Sequence, residues 1–318
     1  MKKRIITGFI ILAVLIPAIY LDGVFFLSIG IFLSMVASYE MMNMFYTKSP
    51  SLHRFRYFVP ILSGFIVLMI YFAVTRGLNQ LVHIDTMTSS EVIYRMLFHF
   101  WTITVFVASI AICLGALIFT KNSTAHDMMA CVMTLTYCGL IMGYVISIEY
   151  IEPIAASPYI NLMVRGGRSF GYLLTIVIVT DSVAYLVGTK FGKHRLAPDI
   201  SPKKSVEGAV AGLIAGGIIG VGVAFLYQMV DFAPATSIGT KFVVMGGLFL
   251  LSIIISFCVQ LGDLIASKLK RSYGIKDFGK IFPGHGGVLD RFDSLIFAGA
   301  AFYVIVQFVQ LAVLGALR

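Results

Sequence analysis

FVVMGGLFLLSIIISFCVQLGDLIASKLKR, residues 242–271, holds the reading on which the fold turns. Its first part, 242–262, is apolar and carries no charge. As a helix rising about 1.5 Å per residue, it is long enough to cross the ~30 Å hydrocarbon core of a bilayer. A spanning segment must satisfy its own backbone groups, and a helix does so. The run stops at Asp263, and Lys268, Lys270 and Arg271 follow within two turns, as at a membrane–water boundary.

Runs of the same kind recur along the 318 residues, at 5–21, 23–39, 57–75, 97–119, 129–149, 169–188, 208–230 and 295–317, which with 242–262 makes about nine spans. The composition agrees: 59% of residues are hydrophobic and 12% are charged, against about 25% charged in soluble domains, and mean hydropathy is +0.94. The expected fold is all-α, a polytopic integral membrane helical bundle. Residues 1–168 would supply the first five spans. Residues 169–318 would form a catalytic region of four spans with loops at 189–207 and 263–294. Met1-Lys2-Lys3-Arg4 before an apolar run resembles a signal peptide, but no small-x-small cleavage site follows, so it reads as a retained first span. Gly208 to Gly222 holds six glycines, the pattern of close helix packing.

With the N-terminus on the cytoplasmic side, three quarters of the 24 lysines and arginines fall in cytoplasmic segments, which sets that orientation and an odd number of spans. The net charge of +9 is thereby accounted for by topology and anionic headgroups, and nucleic acid is not an expected partner. Cys113, Cys131, Cys138 and Cys258 all lie in apolar runs with no Cys-x-x-Cys spacing, and read as small buried hydrophobes.

The two basic loops carry more than topology requires. Asp290 and Asp293 are three apart and share a face if they open the last helix. Asp263 ends the eighth span, where an unpaired carboxylate is costly. Together they make a candidate ligand set for Mg²⁺ or Mn²⁺. The same acids could instead pair with Lys268, Lys270 and Arg291. Gly284, Gly286 and Gly287 allow N–H groups to converge on an anion ahead of a helix start. His285 between them is a candidate proton shuttle or phosphate donor. Lys270, Arg271 and Lys276 are candidate phosphate contacts. In the other loop, Ser201, Lys203, Lys204 and Ser205 offer two ammoniums and two hydroxyls before a helix with Glu207 in its first turn. Asp181 sits within an apolar span, a functional position by default.

The pattern Ser-x2-Lys-Arg-x4-Lys-Asp-x6-Gly-His-Gly-Gly-x2-Asp-Arg-x-Asp, Ser267 to Asp293, resembles the signature of phosphatidate cytidylyltransferases (CDP-diacylglycerol synthases). The stretches at Asp181–Tyr185 and Ser201–Gly208 fit as well, although the family usually has Thr where this chain has Ser205 and often Trp at Val206. The resemblance covers about 180–294 and is hydropathic only before that. It implies a nucleotidyltransferase of phospholipid biosynthesis that converts CTP and phosphatidate to CDP-diacylglycerol and pyrophosphate. It also implies Mg²⁺ on Asp263, Asp290 and Asp293, with a second, monovalent cation such as K⁺ as an option. A homodimer in the cytoplasmic (inner) membrane is implied, its active site facing the cytoplasm and the membrane lipids. Three alternatives stand beside this reading: a CTP-dependent enzyme acting on an ether lipid phosphate, a polyprenol kinase, and an ion-coupled transporter using Asp181 and Asp263 as relays.

Overall fold

The computed structural model describes residues 23–78, 89–151, 154–157, 160–162, 166–232, 236–282 and 286–316. Among the described residues eight helices are long and apolar enough to cross a membrane, and each corresponds to one expected span. The remaining expected span, 5–21, lies outside the described residues. The β structure among the described residues consists of two small sheets in the connections. The chain divides into two compact units, Met1–Tyr150 with Ser272–Phe292, and Ile151–Arg271 with Asp293–Arg318.

In the first unit α1 (Val24–Tyr46) leads through a 3-10 turn at Pro50–His53 into α2 (Phe55–Leu78), then α3 (Ser89–Ile118) and α4 (Ala125–Tyr150). α4 packs on α1 and α2 through glycines: a methyl at Gly143 would lie 2.5 Å from Ile70 and one at Gly30 2.8 Å from Ile146. Its middle, Leu135–Ile141, is π-helical, a register that disturbs the usual backbone ladder. The Ser34 hydroxyl donates to the Cys138 carbonyl there at 2.7 Å, and Ser38 and Ser63 pair at 2.6 Å. Both bonds are buried, where polar groups require partners.

In the second unit a three-stranded antiparallel sheet, β1 (Ile154–Ser157), β2 (Ile160–Leu162) and β5 (Val230–Phe232), accompanies α5 (Gly166–Phe191), α6 (Val206–Leu226), α7 (Ile238–Ser272) and most of α8 (Leu289–Ala316). α5 and α6 are joined by a hairpin, β3 (Arg195–Ala197) and β4 (Ser201–Ser205). α6 lays a face of glycines against its neighbours, as the sequence predicts. A methyl at Gly212 would stand 2.8 Å from the Thr180 carbonyl, and methyls at Gly216 and Gly220 would strike the hydroxyls of Ser256 and Ser252. Those hydroxyls are occupied: Thr180 donates to Ser256 at 2.9 Å, and Tyr172 and Ser252 pair at 2.7 Å.

Large apolar side chains stand exposed along several helices, among them Phe100, Trp101, Ile103 and Val107 on α3 and Ile214 and Ile218 on α6. Such bands belong to lipid rather than water. Cys113, Cys131 and Cys138 are buried and Cys258 is half-buried, all as free thiols.

Helix ends differ from the apolar runs. α1 continues past residue 39 to Tyr46, α8 begins at Leu289 rather than 295, and α7 continues past 262 to Ser272. The first ten residues of the expected 263–294 loop are therefore helical. Gly262, Ala266 and Leu269, at i, i+4 and i+7, keep an apolar face into the charged stretch, with Gly262 and Ala266 buried.

Candidate functional site

A cavity of about 240 Å³ opens in the second unit, lined by Asp181 and Tyr185 of α5, Lys203, Lys204 and Ser205 of β4, and Gln260 and Asp263 of α7, with Leu196 of β3. This volume is below the usual ~300–1,000 Å³ of a whole-ligand pocket, and suits one end of a larger molecule. Local structure fixes each contributor. Ser205 is the N-cap of α6, its Oγ accepting from the Gly208 N–H at 3.2 Å, which satisfies one of the open donors of the helix start. Glu207 accepts from the Lys193 N–H at 3.0 Å and the His194 N–H at 3.2 Å, and lies 2.6 Å from His194 Nδ1. The hairpin is thus tied to the first turn of α6. Gln260 donates to the Ala209 carbonyl at 3.0 Å. Lys204 forms an ion pair with Asp263.

α7 and α8 cross closely at Gly262, where a methyl would stand 2.7 Å from the Asp293 carbonyl oxygen and 3.1 Å from the Phe297 ring. The crossing sets the backbone of Asp263 beside that of Asp293. The Asp293 carboxylate is buried. Its Oδ1 accepts from the Ser294 N–H at 2.8 Å, and its Oδ2 lies 3.9 Å from Lys270 Nζ.

Asp290 has different company. Its Oδ2 accepts from the Phe278 N–H at 2.8 Å and the Gly287 N–H at 2.9 Å. Gly286 adopts φ +87°, a left-handed conformation suited to glycine. The Phe282 N–H donates to the Gly286 carbonyl at 2.9 Å. Glu40 of α1 completes this arrangement. It is 3% exposed, and its two carboxylate oxygens accept from the N–H groups of Val288 at 3.1 Å and Leu289 at 3.0 Å.

The structure therefore gathers Asp181, Lys203, Lys204, Ser205 and Asp263 at one cavity, and brings the helices of Asp263 and Asp293 into contact. Ser201 opens the same strand as Lys203 and Lys204. Gly286, Gly287 and Asp290 form a cluster in the first unit. Arg271 lies in the last turn of α7, and exposed Lys276 lies in the segment beyond that helix. Gly284 and His285 lie outside the described residues. Among the described residues no three His, Cys, Asp or Glu side chains converge on a point where they would cage a metal. Of the alternative pairing with Lys268, Lys270 and Arg291, Lys270 with Asp293 is present, whereas Asp263 pairs with Lys204 of the other loop. The sequence reasoning missed Glu40 and Gln260. A carboxylate in an apolar helix is a signal for Glu40, obscured because the apolar run ends at residue 39.

Chemically, the cavity presents two carboxylates and two ammoniums around a capped helix start. That set can bind phosphate oxygens through Lys203 and Lys204 and a hard cation through Asp181 and Asp263. A model of the cytidylyltransferase family matches residues 2–309. Among curated proteins, the chain is 32% identical over 300 residues to a phosphatidate cytidylyltransferase of Staphylococcus saprophyticus, covering 93% of this chain and 95% of that one. It is 30% identical over 298 residues to the phosphatidate cytidylyltransferase of Bacillus subtilis (93% and 94%) and 31% identical over 298 to that of Staphylococcus aureus (93% and 95%).

Proposed function

The chain belongs to the cytidylyltransferase family, and from that premise we propose that it is a phosphatidate cytidylyltransferase, making CDP-diacylglycerol and pyrophosphate from CTP and phosphatidate. The observation that carries this reading is the cavity where Lys203 and Lys204 meet Asp181 and Asp263 on membrane-spanning helices. A phosphomonoester oxygen of the lipid attacks the α-phosphorus of CTP. A new P–O bond forms, the α–β anhydride bond breaks, and its electron pair leaves on pyrophosphate. The attacking phosphate is ionised near neutrality, with a second pKa of about 6, so no general base is required.

Catalysis of this kind is mostly positioning and charge neutralisation. Lys203 and Lys204 neutralise phosphate oxygens, with Lys270 and Arg271 as further candidate cations; Lys276 is a candidate from the sequence motif. As it stands the cavity is balanced, two carboxylates against two ammoniums, and a triphosphate would bring excess negative charge. Carboxylate oxygens fit a hard divalent ion, and Mg²⁺ ordinarily completes its shell with water and substrate phosphate rather than an all-protein cage. Asp263 is the central proposed ligand, with Asp181 on the same cavity and Asp293 on the helix crossing beside it. The sequence motif adds Asp290. When bound there, Mg²⁺ would supply neutralisation of the charge developing in the transfer. The lipid's acyl chains remain in the bilayer. A homodimer in the cytoplasmic membrane, cavity toward the cytosol, completes the proposal.

The test is product formation by purified protein in detergent from labelled CTP, phosphatidate and Mg²⁺. EDTA should abolish it and added Mg²⁺ restore it. CTP turnover with an ether lipid phosphate or a polyprenol but not with phosphatidate would overturn the assignment.

A further inference from the structure

A carboxylate far from the basic loops has a part in this chemistry that the motif does not record. Glu40 lies in α1, 248 positions before the backbone it holds. Val288 precedes and Leu289 opens α8, so their N–H groups are among the donors a helix start leaves without intrahelical partners. A carboxylate there is favoured by both hydrogen bonding and the helix dipole. The neighbouring sequence is shaped to admit it: for both Gly279 and Gly287, the three atoms nearest an added methyl all belong to the Glu40 side chain, at contact distances no side chain could occupy. Asp290 grips the same segment from the other side through Phe278 and Gly287. Two glycines at these places, a buried acid between them and a second acid one helical position beyond Leu289 make one assembly.

We infer that Glu40 is a positioning residue for the transferase reaction, fixing the first turn of α8 and with it the carboxylate of Asp290. The inference rests on the cytidylyltransferase reading above. Glu40 touches no substrate. It acts by denying the start of α8 the freedom to shift. Replacing Glu40 by Gln keeps the shape but turns an N–H₂ toward one of the two backbone donors, so one bond is lost and donor faces donor. Glu40→Asp keeps the charge and draws it back by one methylene.

The experiment compares wild type, Glu40→Gln, Glu40→Asp, Glu40→Ala, Gly287→Ala and Glu40→Ala/Gly287→Ala in detergent. Amide exchange reads the Val288 and Leu289 N–H groups directly, and thermal melting across a Mg²⁺ titration reads metal binding without turnover. Glu40→Gln is expected to unprotect Val288 and Leu289. It should raise the Mg²⁺ concentration for half-maximal melting shift about 10-fold, the lower end of what supporting residues cost a metal site. It should lower kcat about 100-fold, the scale of a ~1 Å misplacement, with KM for phosphatidate within about twofold. Glu40→Asp should fall between. Gly287→Ala should be harmful in the wild-type background and nearly silent beside Glu40→Ala, since the methyl then enters vacated space. The inference is overturned if Glu40→Gln behaves as wild type. It is equally overturned if activity falls only in step with the folded fraction, leaving the Mg²⁺ requirement unchanged. Absence of product from well-folded wild type would instead overturn the reaction assigned to the chain.

Discussion

Lys204→Met and Asp263→Asn, made singly and together, separate an ion pair that supports the fold from two groups that serve a substrate. The paired side chains are 27% and 29% exposed, so the bridge is partly solvated and contributes at most about 1 kcal/mol to stability. Either change should leave the melting temperature nearly where it was. The functional arithmetic is larger. A charge-assisted hydrogen bond from Lys204 to a phosphate oxygen contributes about 1.5–3 kcal/mol, which converts to roughly 10- to 150-fold in kcat/KM for CTP at 1.36 kcal/mol per decade. Asp263→Asn removes a hard oxygen ligand and should cost at least about 100-fold, most of it in kcat and in the Mg²⁺ requirement. The assay is steady-state CDP-diacylglycerol synthesis with CTP and Mg²⁺ varied independently. If the residues serve different partners, the double variant should lose both contributions. Recovery of near wild-type turnover in the double variant would show that they serve only one another, and the catalytic reading of the cavity would be refuted.

Three further outcomes are expected. Gly216→Ala drives a methyl into Ser256 and to within 2.8 Å of Thr180, an overpacking worth about 1–3 kcal/mol; Gly222→Ala, with nothing within 4 Å, should melt no lower than wild type. Asp127 is wholly buried, its Oδ2 accepting from the Thr124 N–H and the Ser51 hydroxyl, each at 2.8 Å. Asp127→Ala removes the acceptor of this capping box and should therefore cost about 1–2 kcal/mol, read as a lower melting temperature with KM for CTP unchanged. Single cysteines at Lys193 and Lys241 should react with an impermeant maleimide from opposite faces of oriented vesicles, Lys193 from the cytosolic one. The reverse result would invert the proposed orientation.

Much of the fold was written in hydropathy, because a bilayer enforces one rule along the whole chain: apolar runs of sufficient length become helices. The ends were less legible. Residues 264–269 continue α7 through cations because helical periodicity persists there, while an average over the run sees only the charge. The π stretch at Leu135–Ile141 left no mark in composition, since it is resolved by a partner, Ser34, on another helix. For the site, residues close in sequence to a helix end or set in an apolar run (Asp181, Lys203, Lys204, Asp263) announced themselves by their cost. Glu40 did not, because its meaning lies in two backbone donors at the far end of the chain. The hydrogen bonds of Asp290 with the Phe278 and Gly287 N–H groups likewise follow from chain return rather than from the three-residue spacing to Asp293.

Asp181 has a consequence for biogenesis. An aspartate near the middle of a spanning helix opposes insertion by about 2.5–3.5 kcal/mol on translocon-derived scales, so α5 is a poor candidate to partition into lipid alone. The glycine face of α6 packs closely on α5 at Gly208 and Gly212, where an added methyl would meet the carbonyl oxygens of Ala184 and Thr180, and the Glu207 tie links the connecting hairpin to the first turn of α6. These features favour delivery of the two helices as a preassembled pair, the carboxylate shielded before it meets hydrocarbon. Bulky replacements along Gly208–Gly220 should thus reduce the yield of integrated protein during synthesis, before any enzyme exists to be assayed.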